Sequence, residues 1–104
     1  MPEFVLAASV SQLQSSGSRK LSVEVKDRYI VLVELDGKIY CLDDVCTHDG
    51  GTLGEGEIDG DCLVCPRHGA KFDIRTGAAV CMPATEPTGS YPVRIEGDQI
   101  LVQF

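Results

Sequence analysis

Two short cysteine–histidine pairs are the candidate metal-binding residues of this chain. The first pair is Cys46-Thr47-His48, and the second, sixteen residues further on, is Cys65-Pro66-Arg67-His68. They use both histidines of the sequence. Thiolate and imidazole ligands together suit zinc or an iron–sulfur centre better than a metal that prefers carboxylates. We therefore expect one four-ligand metal site, made by Cys46, His48, Cys65 and His68.

The two pairs resemble the signature of the Rieske family, whose 2Fe–2S cluster has one iron on two cysteines and the other on two histidines. The following residues, 68–77, are similar to the strand and tight turn after the family's second ligand loop, and Pro83 falls where the family has a proline-bearing loop. The resemblance is close over 40–87. It implies that Cys46 and Cys65 bind the inner iron, and that His48 and His68 bind the outer iron near the surface.

Departures from some relatives indicate the branch of the family. Rieske proteins of respiratory and photosynthetic complexes have a disulfide between the ligand loops, and the matching positions here are Gly51 and Arg67. The positions that donate hydroxyl hydrogen bonds to sulfur in those proteins are Ala70 and Phe72 here. Such donors stabilise the reduced cluster, and they are missing here. The whole Rieske range is about −150 to +300 mV, and the resemblance implies a potential in its lower part. It points to the ferredoxin branch.

A zinc site is the alternative for the same residues. The two pairs could form a closed tetrahedral structural site. A second zinc alternative uses four thiolates, Cys41, Cys46, Cys62 and Cys65, but leaves both histidines unexplained. We expect the three cysteines outside the pairs, Cys41, Cys62 and Cys81, to be small buried hydrophobic residues.

Size and composition limit the possible classes of protein. A chain of 104 residues makes one small domain, for which a bound metal centre would add useful stability. The sequence has no apolar run near the ~20 residues that cross a bilayer, and its start lacks the positive region of a signal peptide. We expect a cytoplasmic, soluble protein and a monomer.

The negative charge is concentrated around the ligand pairs. The net charge is −7, and 39–66 contains seven acidic residues with no lysine or arginine. This segment could be an ordinary solvated surface, or a face that steers a partner with a basic docking surface in a salt-dependent way. Nucleic acid is a poor candidate partner for such a face.

Short strands are predicted on both sides of the two pairs. Period-two alternation and β-rich runs predict strands over 4–7, 21–25, 29–35 and 38–42, with a hairpin turn at Asp36-Gly37. Further strands are expected over 57–58, 61–65, 71–74, 78–80, 91–96 and 99–104, and 9–20 is expected to be a loop with a helical turn at 10–13. This pattern predicts an all-β fold, an antiparallel sandwich or barrel. By resemblance it is Rieske-like, a single domain over 1–104 with a base (1–42 and 88–104) and an inserted cluster-binding subdomain (43–87).

The resemblance implies an electron carrier rather than an enzyme. The expected cofactor is one Rieske-type 2Fe–2S cluster, and the partners are an NAD(P)H-dependent reductase and a terminal oxygenase or similar enzyme. An oxygenase would need a second iron on two histidines and a carboxylate, and no histidine is left for it. The small electron-transfer subunit of an assimilatory nitrite reductase remains an alternative with the same chemistry.

Overall fold

The computed structural model describes residues 3–45, 52–66, 69–81 and 86–103, apart from the side chain of Cys81. The elements in chain order are β1 (Phe4–Ser9), α1 (Val10–Ser15), β2 (Lys20–Val25), β3 (Arg28–Leu35), β4 (Lys38–Asp43), β5 (Ile58–Asp59), β6 (Cys62–Val64), β7 (Lys71–Asp73), β8 (Ala79–Cys81), β9 (Ser90–Tyr91), β10 (Val93–Glu96) and β11 (Gln99–Gln103). They form three antiparallel sheets, β1-β11-β10, β2-β3-β4-β9 and β5-β6-β7-β8. The predicted all-β architecture is confirmed.

The β2-β3-β4-β9 sheet is the central layer of the molecule. One of its faces contributes Ile30, Leu32 and Cys41 to a core shared with Ile100 and Val102 of the β1-β11-β10 sheet. These five side chains are at most 1% exposed. The sheets β1-β11-β10 and β2-β3-β4-β9 therefore enclose one core, and we call these two sheets together the base.

The other face of the central sheet covers the third sheet. Val31 and Val33 of β3 pack in a second core with Leu63 of β6 and Phe72 of β7, and all four are fully buried. Successive side chains of a strand point to opposite faces, so β3 serves both cores at once. This explains its nearly continuous apolar sequence, and it places the third sheet against a face of the base.

Two tight turns set the register of the central sheet. Asp36 and Gly37 both have positive φ, as the predicted Asp-Gly hairpin requires. Lys26 and Asp27 also have positive φ, at 51° and 63°, and join β2 to β3 with Val25 opposite Arg28. Neither of those residues is a glycine or asparagine, so the sequence marks this turn only by its polarity.

Two expectations about the elements need correction. The segment expected to be a loop with one turn contains a helix over Val10–Ser15, because Ser9 and Gln12 form a reciprocal capping box and Leu13 is buried. The strand expected over 91–96 is two strands that belong to different sheets: Tyr91 pairs with Cys41, and Val93 pairs with Val102. Pro92, which has no N–H to donate, lies at the switch. No helix in the described ranges has the length and apolar character needed to cross a bilayer.

Candidate metal centre

Cys65 lies at the end of β6, where the chain turns toward β7. Its side chain is 1% exposed, and its thiol is free of a disulfide. The Cys65 N–H donates to the Ala70 carbonyl at 2.7 Å, and the Gly69 N–H donates to the Cys65 carbonyl at 3.1 Å. Gly69 has a φ of +77°, a conformation that glycine adopts at no steric cost. A closed turn with a buried thiol at its base is therefore present where the second ligand pair was predicted.

The other three predicted ligands, Cys46, His48 and His68, lie outside the described residues, as does Pro83. The described residues beside the first pair are nevertheless fixed to one another. The Asp44 carboxylate accepts a hydrogen bond from the Gly54 N–H at 2.6 Å, which closes the chain across 45–53. A carboxylate acceptor makes this a strong, charge-assisted bond.

The segment after the first pair lies directly against β6, the strand that precedes Cys65. The Val64 N–H donates to the Glu57 carbonyl at 2.9 Å. A side chain at Gly56 would collide with the Val64 carbonyl, so this approach requires a glycine. The Lys20 ammonium from β2 donates to the carbonyls of Gly54 and Gly56. The described chain after the first pair and the strand before the second are thus in contact.

Thr88 connects the start of the first ligand loop to the third sheet. Its hydroxyl donates to the Val45 carbonyl at 3.0 Å, and its N–H donates to the Gly77 carbonyl at 2.8 Å. Val45 directly precedes Cys46, and Gly77 lies in the turn between β7 and β8. This role of Thr88 is not predictable from the sequence, because a threonine in a Pro/Gly-rich loop carries no local signal.

The four-thiolate zinc alternative is wrong. Three of its members are described, and Cys41, Cys62 and Cys65 do not come together as a metal-binding group. Cys41 belongs to the base core and Cys65 to the second core. Cys62 lies beside the fully buried Leu63 on β6 and so faces the opposite side of the third sheet.

The cysteines outside the pairs differ in their surroundings. The expectation of a small buried residue is confirmed for Cys41, whose pKa is raised to about 12 by burial and then by the charge of Asp43. It is wrong for Cys62, which is only partly buried. Partial burial and then the charge of Asp73 raise the pKa of Cys62. The side chain of Cys81 is outside the described part of the structure.

Part of the acidic segment is neutralised by bases from elsewhere in the chain. Asp59 pairs with Lys71 at 2.8 Å, and Asp61 pairs with Arg75 at 3.0 Å. The hydrogen bond from Lys71, and then its charge, lower the pKa of Asp59. The concentration of charge seen in the sequence is therefore weaker in the folded protein.

Glu55 and Glu57 remain exposed and form no ion pair within the described residues. They line a surface groove of about 580 Å³ that also contacts Val64, Cys65 and Pro66. The negative charge of these two residues thus lies beside the turn between Cys65 and Ala70.

The residues fit the cofactor implied by the sequence. A 2Fe–2S cluster needs thiolates held away from bulk water, and Cys65 is a buried, unpaired cysteine on a closed turn. Ala70 and Phe72, the positions where some relatives have hydroxyl donors to sulfur, are both fully buried and have no hydroxyl. The described part of the site therefore agrees with a Rieske centre that lacks those donors.

Comparisons with known proteins agree with this interpretation. The family model of the Rieske [2Fe-2S] domain matches residues 3–92. The ferredoxin component of the naphthalene 1,2-dioxygenase system of Pseudomonas aeruginosa is 38% identical over 84 residues, 81% of each chain. The ferredoxin of carbazole 1,9a-dioxygenase from Nocardioides aromaticivorans IC177 superposes with a TM-score of 0.86 at 28% identity, over 95% of each chain. The ferredoxin in a complex of reduced oxygenase and oxidised ferredoxin of carbazole 1,9a-dioxygenase has a TM-score of 0.85 at 28% identity, over 96% of this chain and 92% of that chain.

The chain therefore belongs to the Rieske [2Fe-2S] family. Within it the chain is a ferredoxin, an electron carrier and not an enzyme, and its cofactor is a Rieske-type 2Fe–2S cluster. The family, fold and cofactor predicted from the sequence are confirmed. A structural zinc module with the same four ligands is excluded by this assignment.

Proposed function

We propose that this protein is the one-electron ferredoxin of a ring-hydroxylating dioxygenase system. It accepts electrons from an NAD(P)H-dependent reductase and delivers them to a terminal oxygenase in the cytoplasm, as a monomer. The observation that carries the proposal is the similarity over most of the chain to a ferredoxin component of a dioxygenase system. The carbazole 1,9a-dioxygenase ferredoxin, which has the same fold, was captured in complex with its oxygenase.

The proposed ligands are the four predicted from the sequence. Cys46 and Cys65 hold the inner iron, and His48 and His68 hold the outer iron. When bound, the cluster supplies reversible one-electron transfer, and two neutral imidazoles give it a higher potential than four thiolates would. The turn between Cys65 and Ala70 fixes the second cysteine, and the buried side chains around it keep water from that thiolate. The missing hydroxyls at Ala70 and Phe72 support a potential in the lower part of the Rieske range.

The ligand set is tested on purified protein. We expect about two irons and two acid-labile sulfides per chain, with nitrogen hyperfine coupling in the spectrum of the reduced protein. In His48→Cys or His68→Cys proteins that keep a cluster, the potential should fall because an anionic donor replaces a neutral one. An unchanged potential would overturn the assignment of that histidine.

We further propose that Glu55 and Glu57 steer a basic face of the redox partners toward the cluster. Among the described residues, the groove is lined by three acids. Asp59 pairs with Lys71, whereas Glu55 and Glu57 form no ion pair with a described residue. Reduction by the reductase should slow as ionic strength rises, because salt screens attraction between exposed charges. Glu55→Gln with Glu57→Gln should flatten this dependence, whereas Glu3→Gln with Glu24→Gln removes the same charge elsewhere and should not. Equal slopes for the two double variants would leave the segment as an ordinary solvated surface.

The small subunit of a nitrite reductase is the competing function. Its cluster chemistry would be the same, so the partner alone separates the two. Reduction of the cluster by a dioxygenase reductase at a rate useful for turnover, followed by oxidation by the terminal oxygenase, supports our proposal. Oxidation by a nitrite reductase and not by an oxygenase would replace it.

A further inference from the structure

Thr88 is the one polar side chain that is buried in the described ranges of the chain, at 4% exposure. A buried hydroxyl is costly unless it forms hydrogen bonds. The Thr88 hydroxyl lies 3.0 Å from the Val45 carbonyl and 3.5 Å from that of Asp43, so Val45 is its main acceptor. The Thr88 side chain therefore binds the backbone of Val45, the last described residue before the first ligand pair.

The acceptor of this bond is close to a proposed ligand along the chain. The carbonyl of Val45 lies in the planar peptide unit that ends at the Cα atom of Cys46. The same segment is held a second time, since the Asp43 N–H donates to the Gly89 carbonyl at 2.8 Å. A rigid peptide plane held by a buried donor restricts the direction in which the chain leaves toward Cys46.

The backbone of Thr88 is attached to the sheet that carries the second ligand loop. Its N–H donates to Gly77, whose own N–H donates to the Asp73 carbonyl of β7 at 2.7 Å. A side chain at Gly77 would collide with the Thr88 carbonyl, so the two backbones are in close contact. Strand β7 pairs with β6, and Cys65 directly follows β6.

We propose that Thr88 is a positioning residue for the 2Fe–2S cluster, which fixes the entry to Cys46 relative to the hairpin that carries Cys65. The inference rests on the proposed ligand set, in which one cluster joins the two loops. Thr88 itself is not a ligand. Its contribution is a buried connection between two segments whose separation the cluster requires to be constant.

The test uses the protein with its cluster bound. Thr88→Val keeps the shape of the side chain but leaves the Val45 carbonyl without its donor, whereas Thr88→Ser keeps the hydroxyl. As a control, Ser15→Ala removes an exposed hydroxyl at the end of α1, away from the contacts of Thr88. The readouts are the rate at which visible absorbance is lost to an iron chelator, the g-values of the reduced cluster, and the unfolding rate followed by circular dichroism.

We expect Thr88→Val to release its cluster on the order of tenfold faster, as the loss of one buried hydrogen bond predicts, and to show shifted or broadened g-values. Thr88→Ser and Ser15→Ala should resemble the wild type in both the release rate and the g-values. If Thr88→Val does not fold, Thr88→Cys, with a similar volume and a weaker donor, takes its place.

Two results would overturn the inference. One is a Thr88→Val protein with unchanged release rate and g-values. The other is a Thr88→Val protein in which cluster release accelerates only as much as global unfolding and the g-values stay the same. That result would mean that Thr88 stabilises the fold without positioning the cluster. Wild-type protein without labile sulfide would instead disprove the proposed function, so the two failures are distinct.

Discussion

The Tyr91 hydroxyl donates a 2.7 Å hydrogen bond to Oδ1 of Asp43 and so joins the short strand β9 to the end of β4. Arg28 lies over the Tyr91 ring and donates to the same hydroxyl at 3.2 Å. Partial burial, and then the bond to Asp43, raise the pKa of Tyr91. These contacts lie at the edge of the base, and Asp43 is three residues before Cys46 in the sequence.

Removal of this hydroxyl should destabilise the protein. Tyr91→Phe leaves the ring in place but deletes the donor to a carboxylate, and we expect the free energy of unfolding to fall by about 1.5–3 kcal/mol. Urea unfolding at pH 7 measures the change. Tyr29→Phe removes a hydroxyl from an exposed tyrosine on β3 and should change stability very little. Equal effects of the two substitutions would show that the bond to Asp43 contributes nothing specific.

The closure of the first ligand loop by Asp44 should depend on an acceptor oxygen. Asp44→Ala leaves the Gly54 N–H without its partner, and we expect a loss of about 1–3 kcal/mol in unfolding free energy together with faster loss of the cluster. Asp44→Asn keeps a side-chain oxygen in place and should lose less. Chemical unfolding and absorbance decay in a chelator give the two quantities, and an alanine variant as stable as the asparagine variant would contradict the prediction.

The core beneath the third sheet should be sensitive to volume. Phe72 is fully buried opposite Leu63, so Phe72→Ala should cost about 3–5 kcal/mol through lost burial and a residual cavity. Phe72→Leu retains most of the volume and should cost clearly less. Thermal and urea unfolding of the two variants would be compared with Leu6→Ala, which truncates an exposed side chain in the base. A similar loss at Leu6 would count against a packed core at Phe72.

Alkaline destabilisation should arise in part from Cys41. Its pKa is raised to about 12 by burial, from a usual value near 9. The folded state therefore keeps a proton that the unfolded chain loses, and this contribution to stability is complete below about pH 9 and declines as the pH rises toward 12. Cys41→Ala should be less stable at pH 7 but show a shallower decline between pH 9 and 11. A decline of unchanged slope would contradict the prediction.

The most local features of the protein were predictable from its sequence. The two cysteine–histidine pairs indicated the Rieske family by residue type and spacing, and the Asp36-Gly37 turn was predicted from a dipeptide that favours positive φ. The capping box at Ser9 and Gln12 was also present in the sequence, although its helix was underestimated. Each of these signals depends on residues within a few positions of one another.

Contacts between distant segments could not be predicted from the sequence and became visible in the folded structure. Tyr91 and Val93 are separated by one residue and belong to different sheets, because Pro92 interrupts the strand and each side pairs with a distant partner. Cys41 and Cys62 both lie in β-rich segments of the sequence. In the fold, Cys41 is buried in the core of the base, whereas Cys62 lies on the outer face of the third sheet and is only partly buried. The same holds for Thr88, whose importance depends on Val45 and Gly77.

The family and its cofactor could therefore be inferred from the chain alone, since the types and spacing of the two cysteine–histidine pairs are those of the Rieske signature. How the segments around these pairs are held together depends on the folded structure. Hydrogen bonds such as those of Thr88 and Asp44 join residues far apart in the chain, and their partners become definite only when three sheets have packed around two cores. Burial and pairing are properties of the folded whole, whereas spacing is a property of the chain.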